Sequence, residues 1–168
     1  MNYTINDNVI HPSYGRGQVT AVKNVELVKG FKRYYVINIP DQLMTVYVPV
    51  GKMEELGFRS MMQKGKQAKV LETLRALPSQ LSENYKIRQA NIREVLKTGL
   101  PLEIAEVLRN LTWYKENKSL TVVDQKLLKQ AREALISEMA AVKKITIPDA
   151  TQMIDTALQV SIESAGEQ

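Results

Sequence analysis

Val9-Ile-His-Pro-Ser-Tyr-Gly-Arg-Gly-Gln-Val19 decides how the first third of this chain folds. Its apolar ends flank Pro12, Gly15 and Gly17, and glycines so placed supply the φ > 0 conformations of a tight turn. Two short strands joined by a Pro/Gly turn are therefore expected. Tyr34-Tyr-Val-Ile-Asn-Ile-Pro40 and Met44-Thr-Val-Tyr-Val-Pro-Val-Gly-Lys52 extend the pattern, with turns at Lys29-Gly30 and Pro40-Asp41. The reading is a small, strongly curved, barrel-like antiparallel sheet over residues 1–60. Such a module without a pocket motif usually binds another macromolecule.

Beyond Phe58 the apolar period becomes helical. Lys66 to Leu77 places Val70, Leu71, Leu74 and Leu77 on one face and stops at Pro78. Ser82 is the expected N-cap of a helix through Lys97, closed by Gly99, and Pro101 opens the next, where its missing N–H is harmless. That third helix turns Ile104, Val107, Leu108 and Leu111 inward. Thr121-Val-Val-Asp124 has the outline of a capping box before a long helix carrying Leu127, Leu128, Ala131, Leu135 and Met139. Thr146 caps a last helix with Ala150, Met153, Ile154, Ala157 and Leu158 inward. The fold class is thus α+β: a β-rich domain over 1–60, then an all-α domain of about five helices over 61–168.

The composition, 44% hydrophobic and 24% charged, is that of an ordinary globular protein. With no cysteine, disulfides, thiolate catalysis and cysteine-ligated zinc are excluded. The N-terminus has no basic leader with an apolar core, and no apolar run is long enough to span a bilayer, so a cytoplasmic location and no membrane partner are expected. Basic and acidic residues number seven and five in 1–60, eight and three in 61–98, and eight and ten in 99–168, which places the net +5 in the middle of the chain. A basic segment inside a balanced chain is a candidate phosphate-contacting surface; the alternative is a solvated helix face.

Val9-Ile-His-Pro-Ser-Tyr-Gly-Arg-Gly17, Tyr35-Val-Ile-Asn-Ile-Pro40, Val48-Pro-Val-Gly-Lys52 with Gly57 and Arg59, and Ile104-Ala-Glu-Val-Leu-Arg109 together resemble the CarD/CdnL-like bacterial transcription regulators. Their N-terminal module is shared with the polymerase-interacting domain of the transcription-repair coupling factor. The resemblance covers nearly the whole chain. It implies a Tudor/SH3-like N-terminal barrel that docks on the RNA polymerase β subunit, and a helical domain that touches promoter DNA at the upstream edge of the melted bubble. It also implies a nucleoid-associated location, no enzymatic activity, no cofactor and no small-molecule substrate.

The resemblance places candidate residues on two surfaces. Tyr47 falls where family members often carry an arginine that holds the polymerase, and Lys23 and Lys29 are weaker candidates for the same contact. An exposed edge at Thr45 to Pro49 could be completed by a strand from the partner. Tyr85 falls at the family tryptophan that wedges into the minor groove, and should stabilise the opened state less because it is smaller. Arg88 matches a family basic residue, while Lys86, Arg93 and Lys97 share a helix face that can track phosphates. Binding to free DNA should be weak. The alternative function is a protein-interaction adaptor whose helical domain packs or oligomerises without meeting DNA.

Other residues carry less. Trp113, the sole tryptophan, is expected to pack between helices, and His11, the sole histidine, has no cysteine beside it to build a metal site. Gly15-Arg-Gly17 is too short for a phosphate loop, and Glu54-Glu55 lacks a partner base.

Overall fold

The computed structural model describes residues 2–167; Met1 and Gln168, the outer ends of the two expected domain ranges, lie outside the described residues. The chain divides into two compact units, residues 1–61 and 62–168.

The first unit is a five-stranded antiparallel sheet of β1 (Asn8–His11), β2 (Gly15–Val28), β3 (Phe31–Ile39), β4 (Met44–Pro49) and β5 (Arg59–Ser60), in the order β4-β3-β2-β1-β5. The expected barrel is therefore an open one, with β4 and β5 as its edges. Breaks in register between Val19 and Ala21 and between Asn24 and Val28 interrupt the β2–β3 ladder, and such irregularities bend a strand and increase its twist. The core of this unit gathers Val9, Val19, Tyr35, Ile37, Ile39 and Val48 from the strands with Met53 and Phe58 from the connection between β4 and β5.

The two glycines of the opening motif serve different ends. Gly15 turns the chain with φ 79°, as the sequence suggests. Gly17 does not adopt positive φ; it is small because a Cβ there would stand 2.7 Å from Ile37 Cγ2 on β3. His11 pins the turn: its Nδ1 accepts from the N–H of Ser13 (3.0 Å) and Tyr14 (3.2 Å), and its Nε2 meets the Leu56 carbonyl at 3.0 Å. The ring also stacks on Tyr14, centroids 4.3 Å apart.

The second unit holds α1 (Lys66–Arg75), α2 (Tyr85–Thr98), α3 (Pro101–Asn117), α4 (Val122–Lys143) and α5 (Ile147–Gly166). Leu74, Leu108, Leu111, Leu135, Met139 and Ile154 form the centre of its core. The capping box is present: Thr121 Oγ1 accepts from the Asp124 N–H, and the Asp124 carboxylate accepts from the Thr121 N–H. Thr146 caps α5, Pro101 is the first residue of α3, and Gly99 closes α2 with φ 67°.

Two boundaries differ from the sequence reading. The first helix ends at Arg75, because Ala76 is extended and Leu77, preceding Pro78, is disfavoured from helical geometry, which leaves Leu77 exposed. The N-cap of α2 is Asn84, whose Oδ1 accepts from the Lys86 N–H at 3.0 Å. Ser82 is diverted: its carbonyl accepts a hydrogen bond from Arg88 Nη1 at 2.8 Å.

Candidate functional site

On the sheet domain, β4 pairs only with β3, so its other edge presents main-chain N–H and C=O groups without a neighbouring strand among the described residues. Alternation along β4 buries Val48 and leaves Tyr47 exposed. Tyr47 pairs across the ladder with Val36, while Lys23 on β2 pairs with Tyr34, and this diagonal carries the Lys23 ammonium to 5.7 Å from the Tyr47 ring centroid. The fold thus brings Tyr47 and Lys23 into one exposed cation–π patch. Lys29 is not part of it. It sits in the β2–β3 turn, five residues from Val36 counted at Phe31, roughly 17 Å along the strand direction.

On the helical domain, Tyr85 is the first residue of α2 and is 50% exposed. It lies on the same stripe as the buried Gln89, Ile92 and Leu96, but one turn beyond the point where the core ends. Lys86, Arg93 and Lys97 are all exposed and share a neighbouring face, separated by seven and four residues. Lys97 is partly engaged, its Nζ standing 2.7 Å from Glu94 Oε1.

Arg88 does not belong to that surface, which corrects the expectation that it faces DNA. It lies four residues before Ile92 and eight before Leu96, inside the apolar stripe of α2, and is 3% exposed. Its Nη2 and Nε meet the two oxygens of Asp124 on α4 at 2.6 and 3.2 Å. Its Nη1 donates to the carbonyls of Ser82 and Glu83 and to the Tyr114 hydroxyl, and its guanidinium lies 4.6 Å from the Tyr114 ring centroid. Its hydrogen bonds to the Asp124 carboxylate hold Arg88 even more firmly protonated than a free arginine. Burial, the largest influence on Asp124, raises its carboxyl. The Arg88 and Thr121 hydrogen bonds, with the Arg88 charge, outweigh it, and the net shift is downward. A guanidinium this buried, held by five acceptors and a ring, is not presented to a phosphate on the surface.

Trp113, expected between helices, is only partly buried and walls a cleft between the segment before α2 and α3, with Tyr114 and Lys118 beside it. No spacing rule joins residues 79–83 to 110–118, so this cleft was invisible in the sequence. Among the described residues there is no cluster of three or more metal-ligating side chains and no helix long and apolar enough to cross a membrane.

A small, open-edged antiparallel sheet followed by a helical domain with an exposed aromatic beside a basic face is an α+β layout whose class comes from likeness to known families, not from the fold itself. Two family descriptions make the assignment specific: CarD-like/TRCF RID domain matches residues 3–62, and CarD, C-terminal domain matches residues 69–155. The chain belongs to the CarD-like family. It is also similar to a protein of Bacillus subtilis (strain 168) named "Putative transcription factor YdeB", with 33% identity over 150 residues that cover 86% of this chain and 94% of the relative.

Proposed function

We propose that this protein binds the RNA polymerase β subunit through the β4 edge of its sheet domain and sets the lifetime of the open promoter complex through Tyr85 on its helical domain. The observation that carries this reading is the placement of Tyr85: an aromatic ring that is half exposed at the first turn of α2, beside the exposed Lys86, in a chain whose residues 3–62 match the CarD-like/TRCF RID domain. A strand of the partner laid along β4 would satisfy its free main-chain groups, and Tyr47 with Lys23 would meet that partner's side chains. The tyrosine ring would enter the minor groove where base pairs are already separated, filling space against an unstacked step, while Lys86, Arg93 and Lys97 follow the phosphates. Tethering to polymerase makes so weak a DNA contact effective by raising the local concentration of promoter.

The test is the decay of open complexes after a competitor challenge, with the full chain and purified holoenzyme. Tyr85→Ala should speed decay, and Tyr85→Trp should slow it or leave it unchanged, with polymerase association unaltered in both. Tyr47→Glu, which places a charge in the strand contact, should instead lose polymerase binding. Equal decay for all Tyr85 variants would assign that residue to packing alone.

A further inference from the structure

We infer that the Trp113 cleft is a binding site for an unpaired nucleobase, taking one base from the strand displaced at the bubble edge; this rests on the promoter-contacting role proposed above.

The walls of the cleft carry a donor, a flat face and an acceptor in a row. Asn110, Trp113, Tyr114 and Asn117 recur at three- and four-residue spacing, so they form one stripe of α3. Asn110 Oδ1 accepts from the Ser79 N–H and from Arg109 Nε, both at 3.0 Å, which fixes its amide and leaves Nδ2 to donate. Asn117 Nδ2 donates to the Trp113 carbonyl at 2.9 Å, which leaves Oδ1 to accept. Between them stands the indole. The opposite wall adds Gln80 and Leu81. A nucleobase has apolar faces and an edge of mixed donors and acceptors, and this is the complement of such a site; stacking on an aromatic is the way proteins hold single strands without reading their sequence.

Size and charge favour the same occupant. At about 230 Å³ the cleft is smaller than pockets for drug-sized ligands, which start at roughly 300 Å³, so it suits one flat ring system better than a length of folded peptide. Lys118 closes the cleft at one end, paired with Glu83, and also borders an adjoining open hollow with Lys115, Ser119 and Gln125. A phosphate on Lys118 would exchange with the Glu83 carboxylate, placing the base on one side of that lysine and the backbone on the other. Glu83 is two residues from Tyr85, a span of at most about 7 Å, so a base displaced by the wedge has the cleft within its reach.

Trp113 is the only tryptophan, so its fluorescence reports on this cleft alone. The full chain is titrated with a short duplex, with a fork of the same sequence carrying unpaired nucleotides, and with that fork made abasic at its unpaired positions, while anisotropy of labelled DNA follows total binding. The fork should quench Trp113 saturably, and the duplex and abasic fork should not. Trp113→Leu should weaken fork binding by about 5- to 150-fold, the equivalent of the roughly 1–3 kcal/mol of one stacked base, with duplex binding unchanged. The abasic arm uses the wild-type chain and so does not depend on the variant folding. If anisotropy shows fork and duplex binding while Trp113 emission stays constant, base capture is overturned and the promoter contact stands. If no DNA binds, base capture is overturned, while the promoter contact, which relies on tethering by polymerase, is decided by open-complex decay in the Tyr85 variants. If Trp113→Leu weakens binding to core polymerase without DNA, the cleft docks protein and the inference is wrong.

Discussion

Arg88 Nη2 and Asp124 Oδ2 stand 2.6 Å apart with side chains 2% and 0% exposed, so a fully buried ion pair fastens α2 to α4. Its second arm, Arg88 Nε to Asp124 Oδ1, makes the contact bidentate, and Thr121 contributes two further donors to the same carboxylate. The pair therefore couples the cap of α4 to the helix that carries Tyr85. Local capping, tertiary packing and the proposed DNA surface depend on one carboxylate.

Removing one partner of a buried pair leaves the other uncompensated, at a cost of about 3–5 kcal/mol. Arg88→Met, which keeps the apolar stem, should accordingly lower the stability of the helical domain by that amount in urea denaturation followed by helical circular dichroism. Because the Asp124 carboxyl lies below its ordinary 3.8 in the folded state, its contribution is complete above that value and is lost as pH falls through the folded one. The acid limb of the wild-type stability profile should flatten in Arg88→Met. A loss of under about 1 kcal/mol would mean that the site relaxes around the missing charge.

His11 should impose a second, separate pH dependence on the sheet domain. With Nδ1 accepting two main-chain N–H groups, the proton sits on Nε2 and donates to Leu56; a proton added at Nδ1 would face both donors. Burial lowers the His11 pKa below its ordinary 6.5, and the Leu56 bond raises it less. The unfolded chain thus takes up a proton before the folded one does, so stability is full above 6.5 and declines as pH drops through the folded value. Thermal unfolding of wild type and His11→Gln between about pH 7.5 and 5 should show a fall in Tm for wild type that is reduced in the variant. Parallel curves would remove His11 as the titrating group.

Much of this architecture is legible in the sequence because it is local. Gly15, Thr121 with Asp124, Thr146 and Pro101 act within a turn of where they stand, and apolar spacing marks the inward faces of α3, α4 and α5. Arg88 is legible too, though its charge points the other way: its spacing to Ile92 and Leu96 puts it in the buried stripe, and a cation there requires a buried anion. Which anion, 36 residues further on, no local rule supplies. The Lys23–Tyr47 contact needs strand register across β2, β3 and β4, and the Trp113 cleft needs the packing of a loop on α3. Both arise only from tertiary structure.

The Lys23–Tyr47 patch should make a small, measurable contribution to polymerase binding. An exposed cation–π contact is worth about 0.5–1 kcal/mol, so Lys23→Ala should weaken association with core polymerase by about twofold to fivefold. Lys29→Ala, which alters a lysine far from Tyr47 along the hairpin, should leave it unchanged. Surface plasmon resonance with immobilised polymerase separates the two. Equal losses for both lysines would point to a general electrostatic attraction in place of the β4 edge.

Salt dependence decides whether α2 meets phosphates. Each phosphate neutralised on duplex DNA contributes about 0.9 to the slope of log K against log salt, because condensed counterions are released. Lys86, Arg93 and Lys97 are the exposed cations of one α2 face, and Lys97 already shares its charge with Glu94. Changing all three to glutamine should reduce the slope by about 1.8 to 2.7, the lower value if Lys97 stays with Glu94. Arg88→Met should not change the slope at all at salt concentrations where the domain remains folded, since its guanidinium is bound to Asp124 and never displaces a counterion from DNA. The measurement is anisotropy of a labelled promoter duplex with the full chain across a salt series. A slope that falls with Arg88→Met, or stays fixed in the triple variant, would show that phosphates lie elsewhere; the triple result alone would shift the helical domain toward the adaptor role, in which this face of α2 is only a solvated surface.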